Sequence, residues 1–181
     1  MTIEYNLDEN DLLNHQLFVA SKSDRIKKKR RRSKIILPIL YTVFALILLY
    51  DGKHIMSILF LIFAILWFSL YPIWEKRHYV KHYQNFIREH NKDPQERSVT
   101  ITFGNDFILA IDKESESKIS TKEIEEINEI PTTIFVRLKG GKSFILPKEK
   151  IANLDQLKTS LKELADYLKI QYLTDDNWEW K

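Results

Sequence analysis

The stretch RIKKKRRRSKIILPILYTVFALILLY, residues 25–50, joins a highly charged segment to an uncharged one. Residues 25–34 carry eight positive charges, and residues 35–50 carry none. A helix of ~20 mostly apolar residues crosses the ~30 Å hydrocarbon layer of a bilayer. Residues 35–50 fall short of that length, so their neighbours must contribute, including Lys34, whose ammonium can reach the headgroups. The stretch predicts a membrane-spanning helix with a basic anchor, and it places Pro38 near the start of that helix, where a missing N–H costs least.

A second apolar run, IMSILFLIFAILWFSLYPIW, covers residues 55–74 and has the full length of a spanning helix. Only four residues separate it from the first run. Two helices that are apolar on every face would need a much larger protein around them to form a soluble core. We therefore predict a transmembrane hairpin over 35–74, with helices at 35–50 and 55–74.

The distribution of basic residues predicts the orientation of this hairpin. Lys and Arg flank both outer ends of the two runs, and the connecting turn has one Lys and one Asp. Because positively charged flanks stay in the cytoplasm, we expect both termini on the cytoplasmic side. The polybasic run has no interleaved aromatic residues for base stacking, so membrane lipids are the expected partner and nucleic acid is not. The residues predicted to contact lipid headgroups are Arg25, Lys27, Lys28, Lys29, Arg30, Arg31, Arg32, Lys34, Lys76 and Arg77.

Two further segments border the hairpin. Residues 1–34 form an N-terminal cytosolic or interfacial segment, in which TIEYNL alternates like a short strand and a helix follows. Residues 75–97 continue in helical period as an extension of the second helix, ending near Asp93 and Pro94. His78 and His82 have a spacing that can chelate a metal, but no third ligand is fixed nearby. We predict no metal site and no cofactor.

From residue 98 the apolar period changes from helical to two. About five antiparallel strands are expected, with the acidic stretch from Glu123 as a single further strand or as a helical turn followed by a strand. Gly140 and Gly141 predict a hairpin turn, and Asn153 is the expected cap of an amphipathic C-terminal helix. The strands are expected in SVTITFG, NDFILAID, SKIST with EIEEINEI, TTIFVRL and KSFILP, and the helix in NLDQLKTSLKELADYLKI.

A basic segment before the membrane, a helical hairpin and the stretches VTITFGNDFILAID and KISTKEIEEINEIPTTIFVRLKGGKSFILPKEKI together resemble the YcxB-like family. The most specific portion is IFVRLKGGKSFILPKEKI, residues 134–151. The resemblance implies a small bacterial membrane protein with a C-terminal pleckstrin-homology-like (PH-like) domain, here residues 98–170. The implied class is an α+β membrane protein: a two-helix transmembrane hairpin followed by a PH-like antiparallel sheet or barrel closed by a C-terminal helix. The implied location is the bacterial inner membrane, as a multi-pass protein.

No stretch of the sequence indicates catalysis. KGGKS lacks the first glycine of a phosphate-binding loop, since position 136 is Val, and it lies between two strands. The acidic cluster Glu123, Glu125, Glu126 and Glu129 is interrupted by isoleucines, which is typical of the solvent-facing side of a half-buried element. There is no cysteine, which excludes disulfides and thiolate metal sites. We predict that the protein is not an enzyme.

Charge and the C-terminal tail lead to the functional hypotheses. Residues 1–97 contain 16 Lys and Arg against 10 Asp and Glu, whereas residues 98–181 contain 12 against 15. In the acidic tail, residues 171–181, Trp178 and Trp180 are candidate partner-binding residues that either fold back or dock on a bilayer or a partner. The leading hypothesis is a non-enzymatic inner-membrane protein that presents a PH-like module to a protein or lipid partner. The alternative is an immunity protein that binds and neutralises a toxin, and homo-oligomerisation stays open in both cases.

Overall fold

The computed structural model describes residues 1–90, 97–104, 106–113 and 115–180. The chain divides into two compact units. The sheet unit comprises Met1–His15 and Ile87–Glu179, and the hairpin unit comprises Gln16–Phe86 with Trp180. The helices are α1 (Glu9–Lys22), α2 (Asp24–Tyr50), α3 (His54–His90) and α4 (Leu154–Leu168). The strands are β1 (Thr2–Leu7), β2 (Arg97–Phe103), β3 (Phe107–Ile111), β4 (Glu116–Ser120), β5 (Ile124–Glu129), β6 (Thr133–Leu138), β7 (Ser143–Pro147) and β8 (Gln171–Thr174).

The hairpin unit is built on two helices that are long and apolar enough to cross a membrane, α2 and α3. Within the most apolar 18 residues of each helix, only 6% of the stretch in α2 and 17% of the stretch in α3 is buried. The core helices of a soluble protein, in contrast, are mostly buried. Helix α2 is longer than the predicted span because the polybasic run continues it toward the N-terminus, where Ser23 caps it through Oγ. The prediction for Pro38 was wrong for this reason, since that residue lies in the interior of α2.

Small residues let α2 and α3 pack closely. Ala45, Ser57 and Ala64 are almost fully buried, and the Ser57 hydroxyl donates a 2.8 Å hydrogen bond to the carbonyl of Ala45. Apolar side chains cannot drive helix association in lipid, so small residues and interhelical hydrogen bonds are the expected contacts there. The predicted extension of the second helix is confirmed as far as His90, and its expected end near Asp93 and Pro94 lies outside the described residues.

The sheet unit contains two four-stranded sheets and α4. The first sheet has the order β1-β2-β3-β4 and is antiparallel throughout. The second has the order β7-β6-β5-β8, in which β8 runs parallel to β5 and the other pairs are antiparallel. The buried core joins the inner faces of both sheets to one stripe of α4, formed by Leu157, Leu161 and Ala165.

The strand prediction was correct in kind but incomplete in number. The stretch around Glu123 was predicted as a single strand or as a helical turn followed by a strand. The structure agrees with the second alternative, since a 3₁₀ turn at Thr121–Glu123 precedes β5, and β4 is a separate strand before that turn. Strand β8 occupies the first residues of the expected tail, because Lys169 ends α4 in the left-handed conformation and turns the chain back along β5. Gly141, with φ of +81°, makes the predicted turn between β6 and β7. Asn153 stands at the cap position of α4, but its side chain makes no capping hydrogen bond.

Strands β1 and β2 pair although the whole of α1, α2 and α3 lies between them in sequence. Their register runs from Leu7 opposite Arg97 to Thr2 opposite Thr102. The hairpin is therefore an insertion between two neighbouring strands of one sheet. The chain leaves the sheet at Leu7 and re-enters it directly opposite, at Arg97.

Candidate functional site

The ten residues predicted to contact lipid headgroups do not share one environment. Arg30 and Lys34 are half-buried, and the other eight are exposed. The Lys34 ammonium lies 4.4 Å from the centroid of the Phe68 ring, in a cation–π contact between α2 and α3. The eight exposed Lys and Arg side chains lie in the N-terminal part of α2 and just after Trp74 on α3, where they can reach an anionic surface. Arg30 instead points into the hairpin unit.

Arg30 meets a buried carboxylate. Glu75, only 5% exposed, accepts a 3.2 Å ion-pair contact from Arg30 Nε and a 3.3 Å hydrogen bond from the Tyr71 hydroxyl. Taking a carboxylate out of water is costly unless a cation and hydrogen-bond donors compensate it, and here both do. Arg30 is among the residues predicted to contact lipid, and no role was predicted for Glu75, because their contact depends on how α2 faces α3.

Trp180 packs against the same arginine. The Arg30 guanidinium lies 4.6 Å from the Trp180 ring and 5.7 Å from the Tyr79 ring, and the two rings meet edge to face at 5.6 Å. Trp180 is 5% exposed. Of the two candidate partner-binding tryptophans, Trp180 is therefore folded into the hairpin unit, while Trp178 is half-buried.

A cavity of about 540 Å³ opens beside this cluster. An aromatic ladder on α3 forms one wall: Trp67, Tyr71, Trp74 and His78 follow each other with ring centroids 5.0–5.9 Å apart. The polar lining includes Lys29, Arg30, Ser33 and Glu75. The site is thus an amphipathic pocket with aromatic walls and one ion pair.

The two histidines with chelating spacing each lie against an aromatic ring. His78 stacks on Trp74, and the His82 ring lies 5.3 Å from the Tyr83 ring. Over the described residues, no group of three or more histidine and carboxylate side chains could hold a metal ion.

The acidic cluster of β5 is held by basic partners. Glu125 and Glu126 both contact Arg137 across the β5–β6 pair, at 2.6 and 3.1 Å. Glu129, 5% exposed, contacts Lys148 Nζ at 2.6 Å and Lys158 Nζ at 2.7 Å through Oε1, and its Oε2 accepts a 2.6 Å hydrogen bond from Tyr172. These contacts tie β5 to α4, β8 and the turn after β7.

The electrostatics of Glu129 reflect these partners. Burial by itself would raise the pKa of Glu129, but hydrogen bonds from Lys148, Lys158 and Tyr172 lower the pKa to about 2. Burial and the same carboxylate raise the pKa of Tyr172, so its hydroxyl remains a donor. A carboxylate that is ionised so firmly is suited to stabilise the fold and unsuited to act as a general acid or base near neutral pH.

A second ion-pair group fixes the start of α1. Asp8 and Asp11 accept hydrogen bonds from each other's backbone N–H groups, and Lys150 Nζ bridges their carboxylates at 2.7 and 2.6 Å. Burial opposes ionisation of Asp8, yet the hydrogen bond from Lys150 leaves the pKa of Asp8 below its usual range. This group connects the end of β1 to the segment between β7 and α4.

The sheet unit also carries a surface cavity of about 430 Å³. It lies between the end of β2, at Phe103 and Gly104, and α4, where it is lined by Glu163 and Tyr167. Tyr167 is 73% exposed. No role was predicted for this tyrosine, although the helical period shows that it lies on α4 outside the apolar stripe.

These features define an α+β protein in which two membrane-length apolar helices are combined with a two-sheet unit closed by a helix. A family model described as YcxB-like protein matches residues 103–159, from the end of β2 into α4. The predicted resemblance to the YcxB-like family is thereby confirmed, and the matched segment contains residues 134–151, the portion that carried it. No curated protein and no solved structure matches the chain.

Proposed function

We propose that this is a non-enzymatic protein of the bacterial inner membrane that presents a PH-like binding module to a protein partner at the cytoplasmic face. The observation that carries the proposal is the insertion of two membrane-length helices between the paired strands β1 and β2. Because Leu7 and Arg97 are opposite each other in one sheet, both flanks of the insertion must lie in the same compartment. Two crossings satisfy that condition, and one crossing does not.

Charge supports the cytoplasmic side for those flanks. The exposed basic residues of α2 before residue 35 and of α3 after residue 74 stand at the outer ends of the apolar runs. The turn between the helices carries Asp51 and Lys53, whose side chains lie 3.8 Å apart and offset each other. Positive charge at the outer ends and a balanced turn favour a topology with both termini in the cytoplasm.

The sheet unit supports the PH-like assignment at the level of layout. Two antiparallel-rich sheets enclose an apolar core, and the amphipathic helix α4 closes it, as in a module that buries one side of a curved sheet under a C-terminal helix. The family match covers β3 to β7 and the start of α4. Binding through such a module needs an accessible surface, and the cavity bordered by the exposed Tyr167 offers one, since tyrosine is enriched at protein interfaces.

The topology can be tested because the chain contains no cysteine. In intact spheroplasts, Lys53→Cys is expected to react with a membrane-impermeant maleimide, since residue 53 is exposed between the helices. Lys122→Cys, exposed in the sheet unit, is expected to react only after permeabilisation. Labelling of Lys122→Cys in intact spheroplasts would contradict the proposed orientation.

Partner binding can be tested by site-specific photo-crosslinking of the full-length protein in native membranes. A benzophenone amino acid at position 167 is expected to capture one protein in good yield. The matched control is position 156, where Gln156 is exposed on the same helix and does not line the cavity. Equal capture at both positions, or adducts with lipid alone at position 167, would refute the protein-binding surface, and a captured toxin would identify the chain as an immunity protein.

A further inference from the structure

The cavity beside Arg30 continues into a second, apolar groove in the hairpin unit. The groove has a volume of about 520 Å³ and is lined by Tyr41, Phe63, Leu66 and Leu70 together with three residues that also line the cavity. The shared residues are Trp67, Tyr71 and Trp74. Both volumes fall within the range of about 300–1,000 Å³ that is usual for small-molecule sites. The two spaces together are polar at one end and apolar at the other.

The charges at the polar end favour an anion. Arg30 and Glu75 offset each other, so Lys29 leaves the cavity with a net positive charge. Exposed basic residues on the adjacent turns of α2 add to the positive potential around its mouth. Basic pockets between membrane helices are suited to phosphate-containing lipid headgroups.

Trp67, which lines both the cavity and the groove, carries a buried hydrogen-bond donor. The indole Nε1 of Trp67 is inaccessible to solvent and has no hydrogen-bond acceptor among the residues that the structure describes. A buried N–H group without an acceptor is unfavourable, so an acceptor at this place stabilises it. In a phospholipid the ester carbonyls lie between the phosphate and the acyl chains, in the same order as Lys29, Trp67 and the apolar groove.

We propose that the hairpin unit binds one anionic phospholipid molecule. Its phosphate lies by Lys29 at the mouth of the cavity, and an acyl chain occupies the groove along Leu66 and Leu70. The Trp67 indole turns toward the lipid, so that its otherwise buried Nε1 donates a hydrogen bond to an ester carbonyl. A free phosphate would use only the cavity and leave both the indole donor and the groove without a counterpart. This inference rests on the proposed membrane location and adds a defined lipid site to it.

The test uses the full-length protein in mild detergent and native mass spectrometry. With phosphatidylglycerol as the probe, one lipid is expected to remain bound at moderate activation, whereas glycerol 3-phosphate and diacylglycerol are not retained. Retention of glycerol 3-phosphate to the same extent would reduce the site to a phosphate site and overturn the lipid assignment. Failure to retain phosphatidylglycerol would overturn it altogether.

Matched variants separate the site from the general basic surface. Lys29→Gln is expected to weaken phosphatidylglycerol binding about tenfold or more, because it removes a charge-assisted contact. Lys81→Gln makes the same change of charge at an exposed position of the hairpin unit that neither lines the cavity nor belongs to the predicted headgroup contacts, and it should leave binding within about twofold. Equal losses in both variants would show a diffuse electrostatic effect and would contradict the site.

Two further variants address the indole and the groove. Trp67→Phe keeps the ring but removes the donor, and Leu70→Trp fills the groove; each is expected to weaken binding severalfold. Ile65→Trp, at a position that is 67% exposed and outside the groove, is the control for added bulk. Undiminished binding in both Trp67→Phe and Leu70→Trp would refute the proposed pose. These assays do not depend on orientation or on a protein partner, so their failure is distinguishable from failure of the maleimide or photo-crosslinking tests.

Discussion

Replacement of Tyr5 by alanine is expected to lower the free energy of unfolding of the sheet unit by about 3–5 kcal/mol, enough to unfold a marginal domain. Tyr5 is 5% exposed and belongs to the apolar core. Its hydroxyl donates a 2.7 Å hydrogen bond to the carbonyl of Ile145 on β7, in the other sheet. Burial raises the pKa of Tyr5, so the hydroxyl remains protonated as a donor. The alanine variant therefore loses ring packing and a contact that joins the two sheets.

The measurement is urea unfolding or pulse proteolysis of the full-length protein in detergent, followed through a probe in the sheet unit. Tyr5→Phe removes only the hydrogen bond and is expected to cost about 1 kcal/mol. Glu4→Ala, exposed on the same strand, controls for changes in β1 itself and should be nearly neutral. If Tyr5→Ala were as stable as Glu4→Ala, β1 would not be an integral strand of the sheet unit, and the same-compartment argument for the hairpin would lose its basis.

Acidification is expected to destabilise the sheet unit through Glu129. The pKa of Glu129 is about 2 in the folded protein against an ordinary value of 4.5. Because the folded pKa is the lower one, the stabilisation is complete above about pH 4.5 and is lost as the pH falls from there toward 2. For a shift of this size the linked stability is about 3 kcal/mol. Strand β8 and the start of α4 are expected to loosen first, because Tyr172 and Lys158 bind this carboxylate.

The variant Glu129→Gln should reduce the pH dependence between about pH 4.5 and 2 to the part that Asp8 contributes, and it should be less stable than the parent at pH 7. The measurement is the midpoint of urea unfolding as a function of pH. Glu125→Gln is the matched control, since its carboxylate is well exposed in an ion pair with Arg137 and contributes little. An unchanged acid profile in Glu129→Gln would contradict the assignment of this transition to Glu129.

His15 provides an independent feature in the same titration. Its ring packs 5.4 Å from Phe135, and burial lowers the pKa of His15 below 6.5. Because the unfolded chain is protonated more readily, a loss of stability is expected as the pH falls through about 6.5. The loss of stability near pH 6.5 should persist in Glu129→Gln. The variant would then alter the transition below pH 4.5 and leave the His15 transition unchanged.

The sequence pattern predicted secondary structure correctly where that structure depends on residues close together in the chain. The two apolar runs, the period-two stretches of β2, β3, β6 and β7, the glycine turn before Lys142 and the apolar stripe of α4 all follow from residues close together in the chain. Strand β8 was missed because QYLT is too short to show a period and is stabilised by its pairing with β5. The 3₁₀ turn that separates β4 from β5 was predicted only as one of two alternatives, because isoleucines on both sides fit one continuous strand equally well.

The candidate site was predictable only in its charge. The basic run predicts contact with an anionic surface, but nothing in the sequence shows that Arg30 has a different environment from Lys29 or Arg31. That distinction arises because Glu75, Tyr79 and Trp180 come together around one guanidinium. A buried ion pair needs both partners and their desolvated surroundings at once, so neither residue reveals it alone.

Amino-acid order by itself determined the helices and most of the strands of this protein, and that two of the helices can cross a membrane, because apolar period and length are local properties. The tertiary structure alone decided that β1 closes the sheet beside β2, so that the hairpin interrupts a sheet whose two flanks must share a compartment. It also decided which basic side chain turns inward. Pairing between distant segments depends on which surfaces exclude water together, and no window of neighbouring residues contains that information.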